Sequence, residues 1–164
     1  MYNKDILALV MDVDGTLTDG KIYMGANGEV LKAFSVKDGY GIGKILPQYG
    51  IDPIIITGRS SAIVEQRARE LGIQSLYQGI DDKQACLCAI SLERKVSFEQ
   101  IACIGDDLND LPMMLLCGIK GCPADAAAEV KAVCDYICTT SGGQGAVREF
   151  IEWIISRDIT GEDN

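Results

Sequence analysis

Asp12 and Asp14 stand two residues apart in the stretch ILALVMDVDGT. In extended backbone, residues i and i+2 project to one side, so the two carboxylates share a face. Groups placed this way repel one another unless a cation lies between them or one is protonated. More acid follows the apolar run IACI, as Asp106 and Asp107 of GDDLND. Hard oxygen donors in this number suit a divalent cation. Mg²⁺ suits them best, because it takes few protein ligands and keeps coordination sites for water and phosphate. Lys83 adds a positive charge, Thr57 of IIITGR a hydroxyl, and Gly58 an approachable backbone N–H. The last two suit phosphate oxygens. Metal, lysine, hydroxyl and amide donors and a carboxylate nucleophile together describe phosphoryl transfer. Any one of these acids alone reads more readily as a cap or turn former, and Lys83 alone as a solvated residue. The set carries the argument.

The elements that must position these groups can be read from hydrophobic patterning. Ile6–Val13, Pro53–Thr57 and Ile101–Ile104 are continuous apolar runs, as expected of buried parallel strands. Each ends directly in one polar cluster: Asp12–Thr16, Thr57–Arg59 or Gly105–Asp107. Ser75–Tyr77, Ile119–Gly121 and Tyr136–Cys138 are shorter expected strands. Helices are expected over Gly39–Gln48, from a cap at Ser60 or Ser61 to Leu71, and over Asp81–Arg94. Others are expected over Leu111–Cys117, Asp125–Ala132 and Gly145–Ser156. Lys21–Met24 and Val30–Phe34 flank an Asn-Gly pair and read as a hairpin. Strands alternating with helices imply an α/β fold with a parallel sheet and helices on both faces. Ligands of such sheets sit at the carboxyl ends of the strands, so all three clusters should converge on one edge.

Composition narrows the field further. The 164 residues suit a single domain (1–164), with no repeat and no linker. There is no histidine, which excludes Ser-His-Asp and Cys-His catalysis and His-ligated zinc. The net charge of −9 argues against nucleic-acid partners, and no apolar run approaches the length of a membrane span. The N-terminus carries no secretory pattern, and the tail TGEDN is expected to fray. Seven cysteines without a CxxC pair read as reduced thiols filling a core, in a cytoplasmic protein.

DVDGT, Thr57 in ITGR, Lys83 and GDDLND, in this order, resemble the four motifs of the haloacid dehalogenase superfamily of phosphotransferases. The resemblance spans roughly residues 5–155 and implies a Rossmann-like sheet and a set of roles. Asp12 would be the nucleophile that becomes an aspartyl-phosphate, and Asp14 the general acid and then base. Mg²⁺ would be held by the Asp12 and Asp106 side chains and the Asp14 backbone carbonyl. Asp107 and Asp110 would orient this first layer, and Thr57 and Lys83 would hold the transferring phosphoryl group. About 40 residues separate Thr16 from Thr57, filled by a hairpin and a helix, so no cap domain is expected.

TDGKIYMGANGEVLKAFSVKDGYGI and SGGQGAVREF are similar to the capless branch that dephosphorylates acidic sugar phosphates. That branch implies a homotetramer packed through the hairpin at about 18–35, with the C-terminal segment at about 141–164 closing a neighbour's site. Within it, Arg59 implies an octulosonate phosphate substrate whose carboxylate the guanidinium would grip, with Arg67 as a second contact. A nonulosonate 9-phosphate is the alternative substrate, since members acting on it tend to carry an acidic residue at that position. Gln144 departs from the basic residue common in the octulosonate tail. A phospho-accepting receiver domain is the rival of another class. It requires an Asp ending the third strand, where this chain has Gln78 and Gly79.

Overall fold

The computed structural model describes residues 6–160; the N-terminal segment and most of the TGEDN tail lie outside the described residues. Six strands form a wholly parallel sheet: β1 (Ala8–Met11), β4 (Asp52–Ile56), β5 (Ser75–Tyr77), β6 (Ile101–Ile104), β7 (Ile119–Cys122) and β8 (Tyr136–Ile137). Their spatial order is β5-β4-β1-β6-β7-β8. The chain winds outward from β1 through β4 to β5, then crosses back to place β6 on the other side of β1. The reversal puts a crevice between the carboxyl ends of β1 and β6, where ligands of such sheets collect.

Period-2 alternation sorts the apolar residues between two cores. Leu9, Met11, Ile55, Ala102 and Ile104 face one side. Ala8, Val10, Ile54, Ile56, Ile101 and Cys103 face the other. The first side is covered by α1 (Val36–Tyr40) with its continuation, α3 (Ala62–Glu70) and α7 (Ala146–Thr160). The second is covered by α4 (Lys83–Arg94), α5 (Leu111–Met114) and α6 (Ala128–Lys131). Among the described residues, no helix is long and apolar enough to cross a membrane.

The expected helix over 39–48 starts earlier and is not uniform. α1 passes into a π-helical turn, Gly41–Ile45, and then α2, Leu46–Gln48. Pro47 has no N–H to give back, and the ladder widens by one residue, Leu46 N–H donating to Gly41 O. Helix α7 packs on this turn so closely that a Cβ at Gly41 would lie 3.0 Å from Ile151 Cδ1. The helices expected over 111–117 and 125–132 are each a single turn. Seven free thiols are present. Cys103, Cys117, Cys122 and Cys138 are buried, and Cys88 is exposed.

Asp38 of α1 ties the start of α7 down. Its carboxylate is buried and accepts the Arg148 N–H at 2.8 Å, satisfying a donor in the first turn of α7. Burial, opposed by the Arg148 and Val147 N–H groups, raises its pKa from 3.8 to about 6. The native state therefore binds the extra proton between these values, and stability falls as pH rises from about 4 to 6. The displacement corresponds to roughly 3 kcal/mol at most. Asp38→Asn, which keeps the acceptor and cannot ionise, is expected to flatten that part of the stability profile in urea titrations.

The hairpin, β2 (Tyr23–Gly25) and β3 (Gly28–Leu31), stands apart from the sheet. Its turn is tighter than expected, with Gly28 at φ +111°, a conformation glycine alone adopts readily.

Candidate active site

Met11 ends β1, and Asp12 follows with its N–H donated to Ile104 O of β6. The chain then turns sharply, the N–H groups of Thr16, Leu17 and Thr18 all reaching Val13 O. Buried Thr18 pins this turn by accepting from Gly15 N–H and Gly20 N–H, both at 3.2 Å. Gly15 has φ +93°, and a Cβ there would lie 2.0 Å from Asp106 Oδ2. The tight loop after β1 thus lies directly against the loop after β6. Gly15→Ala is expected to displace the Asp106 carboxylate and lower kcat by about 10²-fold, the scale of a 1 Å misplacement in a catalytic group; phosphate-release assays check it.

Lys83 is the first residue of α4, whose N-cap Asp82 accepts the Ala85 N–H at 2.9 Å. The helix start carries Lys83 inward, 2 % exposed, with Nζ 2.7 Å from both Asp12 Oδ1 and Asp110 Oδ1. Asp110 is completely buried. Its other oxygen accepts the N–H groups of Asp106 at 2.9 Å and Asp107 at 3.3 Å. One side chain therefore ties the lysine to the loop after β6. Gly105 makes room for it, since a Cβ there would lie 2.7 Å from Asp110 Cγ. Thr16 Oγ1 donates to Asp106 Oδ1 at 3.2 Å. Asp107 is exposed and caps the following 3₁₀ turn through Leu108 N–H.

Asp12, Asp106 and Asp110 each offer a carboxylate oxygen, all within 4.8 Å of one another. Burial and the charge of Asp110 raise Asp12 to about 6, against the opposing pull of Lys83. Burial and the charges of Asp12 and Asp110 raise Asp106 to about 8. Burial lowers the Lys83 pKa, but Asp12 and Asp110 outweigh it and the net shift is upward. Acids held this far above their ordinary range mark a centre short of positive charge. Both Asp110 oxygens are already engaged, so Asp12 and Asp106 are the two of the three that would have an oxygen to offer a cation. This donor set fits Mg²⁺.

A cleft of about 320 Å³ opens above these acids, lined by Asp12, Asp14, Thr57, Gly58, Arg59, Asp106 and Asp107. All three polar clusters therefore meet at one sheet edge. Asn109, Gly20 and Ile22 complete the lining. Lys83 spends two of its three N–H donors on Asp12 and Asp110 and has a third to give.

Arg67 is placed elsewhere. Its guanidinium lies over the Phe34 ring, 5.6 Å from the centroid, and pairs with Glu70 at 3.2 Å. Position 67 is on the side of α3 that packs against α1, so within one chain it does not line the cleft. Ser61 precedes α3 but makes no capping hydrogen bond, because its hydroxyl donates to Glu29 Oε1 at 3.2 Å. The glycine-rich segment packs against its own chain. Gly143 N–H donates to Thr16 O at 3.2 Å, and a Cβ at Gly142 would lie 2.0 Å from Gly15 O. Gln144 is exposed.

Sequence reasoning missed Glu29 and Lys32, which the hairpin strand β3 and the residue after it bring to the cleft rim. Lys32 Nζ lies 2.5 Å from Asp14 Oδ1 and 3.2 Å from Glu29 Oε1. Glu29 Oε2 in turn lies 3.7 Å from Arg59. Charges on a hairpin ordinarily face solvent, and nothing in their spacing announces otherwise.

Comparison with known proteins agrees with this geometry. A family model described as haloacid dehalogenase-like hydrolase matches residues 80–151. The 3-deoxy-D-manno-octulosonate 8-phosphate phosphatase KdsC of Yersinia pestis is 45% identical over 151 residues, covering 92% of this chain and 80% of that protein. The cobalt-bound phosphatase of Haemophilus influenzae superposes with a TM-score of 0.90 at 39% identity, over 94% of this chain and 90% of that one. The Moraxella catarrhalis phosphatase, solved with magnesium, phosphate and 3-deoxy-D-manno-octulosonate (KDO), gives 0.89 at 44% identity, over 93% of this chain and 87% of that one. With identity at this level along nearly the whole length, and a cluster of carboxylates at the switch point of the sheet, the chain belongs to the haloacid dehalogenase-like hydrolases, in the family of the 3-deoxy-D-manno-octulosonate 8-phosphate phosphatases.

Proposed function

We propose that this phosphatase hydrolyses 3-deoxy-D-manno-octulosonate 8-phosphate to the free sugar acid and inorganic phosphate. The observation that carries the reading is the convergence of Asp12, Asp14, Thr57 and Asp106 on one cleft that also has Arg59 in its lining, with Lys83 paired to Asp12 behind it. Its supports are the relatives named above and the solved complex of one of them with KDO.

In this reading an Asp12 oxygen attacks phosphorus while the bond to the sugar oxygen breaks. Asp14 gives its proton to that leaving oxygen. Water then attacks the aspartyl-phosphate, passes a proton to Asp14 and restores the Asp12 carboxylate. Thr57 Oγ, Gly58 N–H and the third Lys83 donor hold the phosphoryl oxygens through both steps. The side chains of Asp12 and Asp106 and the Asp14 backbone carbonyl would hold Mg²⁺, which would supply positive charge against which two anions can approach. Asp107 and Asp110 orient these ligands. The Arg59 guanidinium is about half exposed, free to leave Glu29 and pair with the sugar-acid carboxylate. Arg67 belongs to this reading only through a neighbouring chain.

The hairpin exposes Met24, Val30 and Leu31. A two-stranded hairpin is marginal in water, and an apolar patch of this kind favours self-association. We take the working form to be a homotetramer, which sedimentation at the mass of four chains would establish. Free thiols in the core favour a reducing compartment, the cytoplasm.

The test is Mg²⁺-dependent phosphate release. The expected result is a kcat/KM for the octulosonate 8-phosphate about 100-fold or more above that for a nonulosonate 9-phosphate, about 2.7 kcal/mol of transition-state discrimination. A chelator should stop release and Mg²⁺ restore it. The reverse preference moves the enzyme to nonulosonate chemistry and overturns the substrate; metal-independent turnover overturns the site.

A further inference from the structure

We infer that Lys32 is a positioning residue for catalysis, holding the Asp14 carboxyl so that its free oxygen carries the proton destined for the leaving group. The inference rests on the phosphatase reading above and assigns a role that none of the four motifs contains.

Lys32 follows directly on β3, in a hairpin whose large apolar side chains Tyr23, Met24, Val30 and Leu31 are exposed. Its own side chain is 1 % exposed. Burying a lysine ammonium is strongly unfavourable unless it is paired, and a hairpin gains nothing from doing so. The pairing is specific. Nζ lies 2.5 Å from Asp14 Oδ1 and 3.2 Å from Glu29 Oε1. Glu29 is itself anchored by the Ser61 hydroxyl at 3.2 Å, and its second oxygen lies 3.7 Å from Arg59. Two cations and two carboxylates thus form one row along the cleft rim, ending on Asp14.

The consequence for Asp14 is stereochemical. An ammonium can only donate, so the oxygen facing it must accept. With Oδ1 engaged by Lys32, the acid form carries its proton on Oδ2. The same contact restricts rotation of a side chain that is only partly buried, at 19 % exposure. In the forward step the proton leaves Oδ2 for the sugar oxygen as the P–O bond breaks. In the second step Oδ2 takes a proton from the attacking water. Lys32 neither gains nor loses a proton, so the balance of the reaction is unchanged.

A general acid matters most when the leaving group is basic. An alkoxide needs the proton and a nitrophenolate does not, so the two leaving groups separate positioning from general damage. In Lys32→Met, kcat/KM for the octulosonate 8-phosphate, which reports the steps up to departure of the sugar and not the hydrolysis of the aspartyl-phosphate common to both esters, is expected to fall by about 10²-fold, the lower end of general acid–base contributions. On the same measure p-nitrophenyl phosphate should change less than a few-fold. Lys32→Arg should recover part of the loss, and Glu29→Gln, which leaves the contact to Asp14 in place, should fall between. An equal loss on both esters, or none on either, with an unchanged melting temperature overturns the inference. If Lys32→Met fails to fold, the same comparison is read on Glu29→Gln and Lys32→Arg, where equal effects on both esters overturn it too. A wild-type chain that releases phosphate from neither ester would instead defeat the phosphatase reading itself.

Discussion

Asp12→Asn is expected to cut kcat by about 10⁴-fold or more, the scale on which enzymes lose a covalent nucleophile. Asparagine matches the carboxylate in shape but offers a neutral amide that does not attack phosphorus. No neighbour can replace it. Asp106 lies in hydrogen bond with Thr16, and Asp110 is fully buried with both oxygens engaged. The fold should survive, because burial and the charge of Asp110 already hold the Asp12 pKa up at about 6. A neutral side chain there relieves repulsion among the three acids while leaving an amide oxygen for Lys83. Melting temperature near that of the wild type, with phosphate release at background, is the expected pair of results. Activity within tenfold of wild type would remove Asp12 from the role of nucleophile.

Lys83→Met is expected to damage both activity and stability. The methionine fills the space of the lysine stem but leaves Asp12 and Asp110 facing one another in a buried site without their shared cation. Removing one partner of a buried charged cluster costs about 3–5 kcal/mol. Loss of a phosphoryl-oxygen donor should lower kcat by about 10²–10³-fold. The stability loss has a sign in pH. Without the lysine, the native-state pKa of Asp12 rises further above its unfolded value, so the folded form binds more protons than the unfolded one over a wider range. Stability of the variant therefore falls as pH rises through that range, and the deficit is smallest in acid. Urea titrations at pH 5 and pH 8 read this directly. A deficit that grew toward low pH would contradict the buried pairing.

The chemistry was legible because its residues directly follow strands, and a strand announces itself. ILALVMDV, PIIIT and IACI are apolar on both faces, so each can only be central in a parallel sheet. Asp12, Thr57 and Asp106 then follow at carboxyl ends without further information. Lys83 was legible as the start of a capped helix. Ser61 marks the start of α3 as expected, but its hydroxyl does not cap the helix, because a carboxylate 32 residues earlier holds it. Arg67 is drawn away from its own chain's cleft for a related reason. Its position along α3 suggests reach toward a substrate, but Phe34, Glu70 and the Ser35 carbonyl compete for the guanidinium. Packing of α1 against α3 settles that competition, and no pattern within α3 records it.

By itself, the amino-acid sequence determined the sheet, the order of its motifs and the kind of reaction, because hydrophobic periodicity and strand-end placement are local properties. Tertiary structure alone decided that Lys83 is shared between Asp12 and Asp110 and that Asp110 ties it to the loop after β6. It alone turned Lys32 and Glu29 inward from a hairpin, set Arg67 away from the cleft and laid the Gly142 and Gly143 segment against the chain's own β1 loop. Each of these rests on contacts between residues far apart along the chain. Their energies depend on distance and burial, which come into being only when the separate elements have packed.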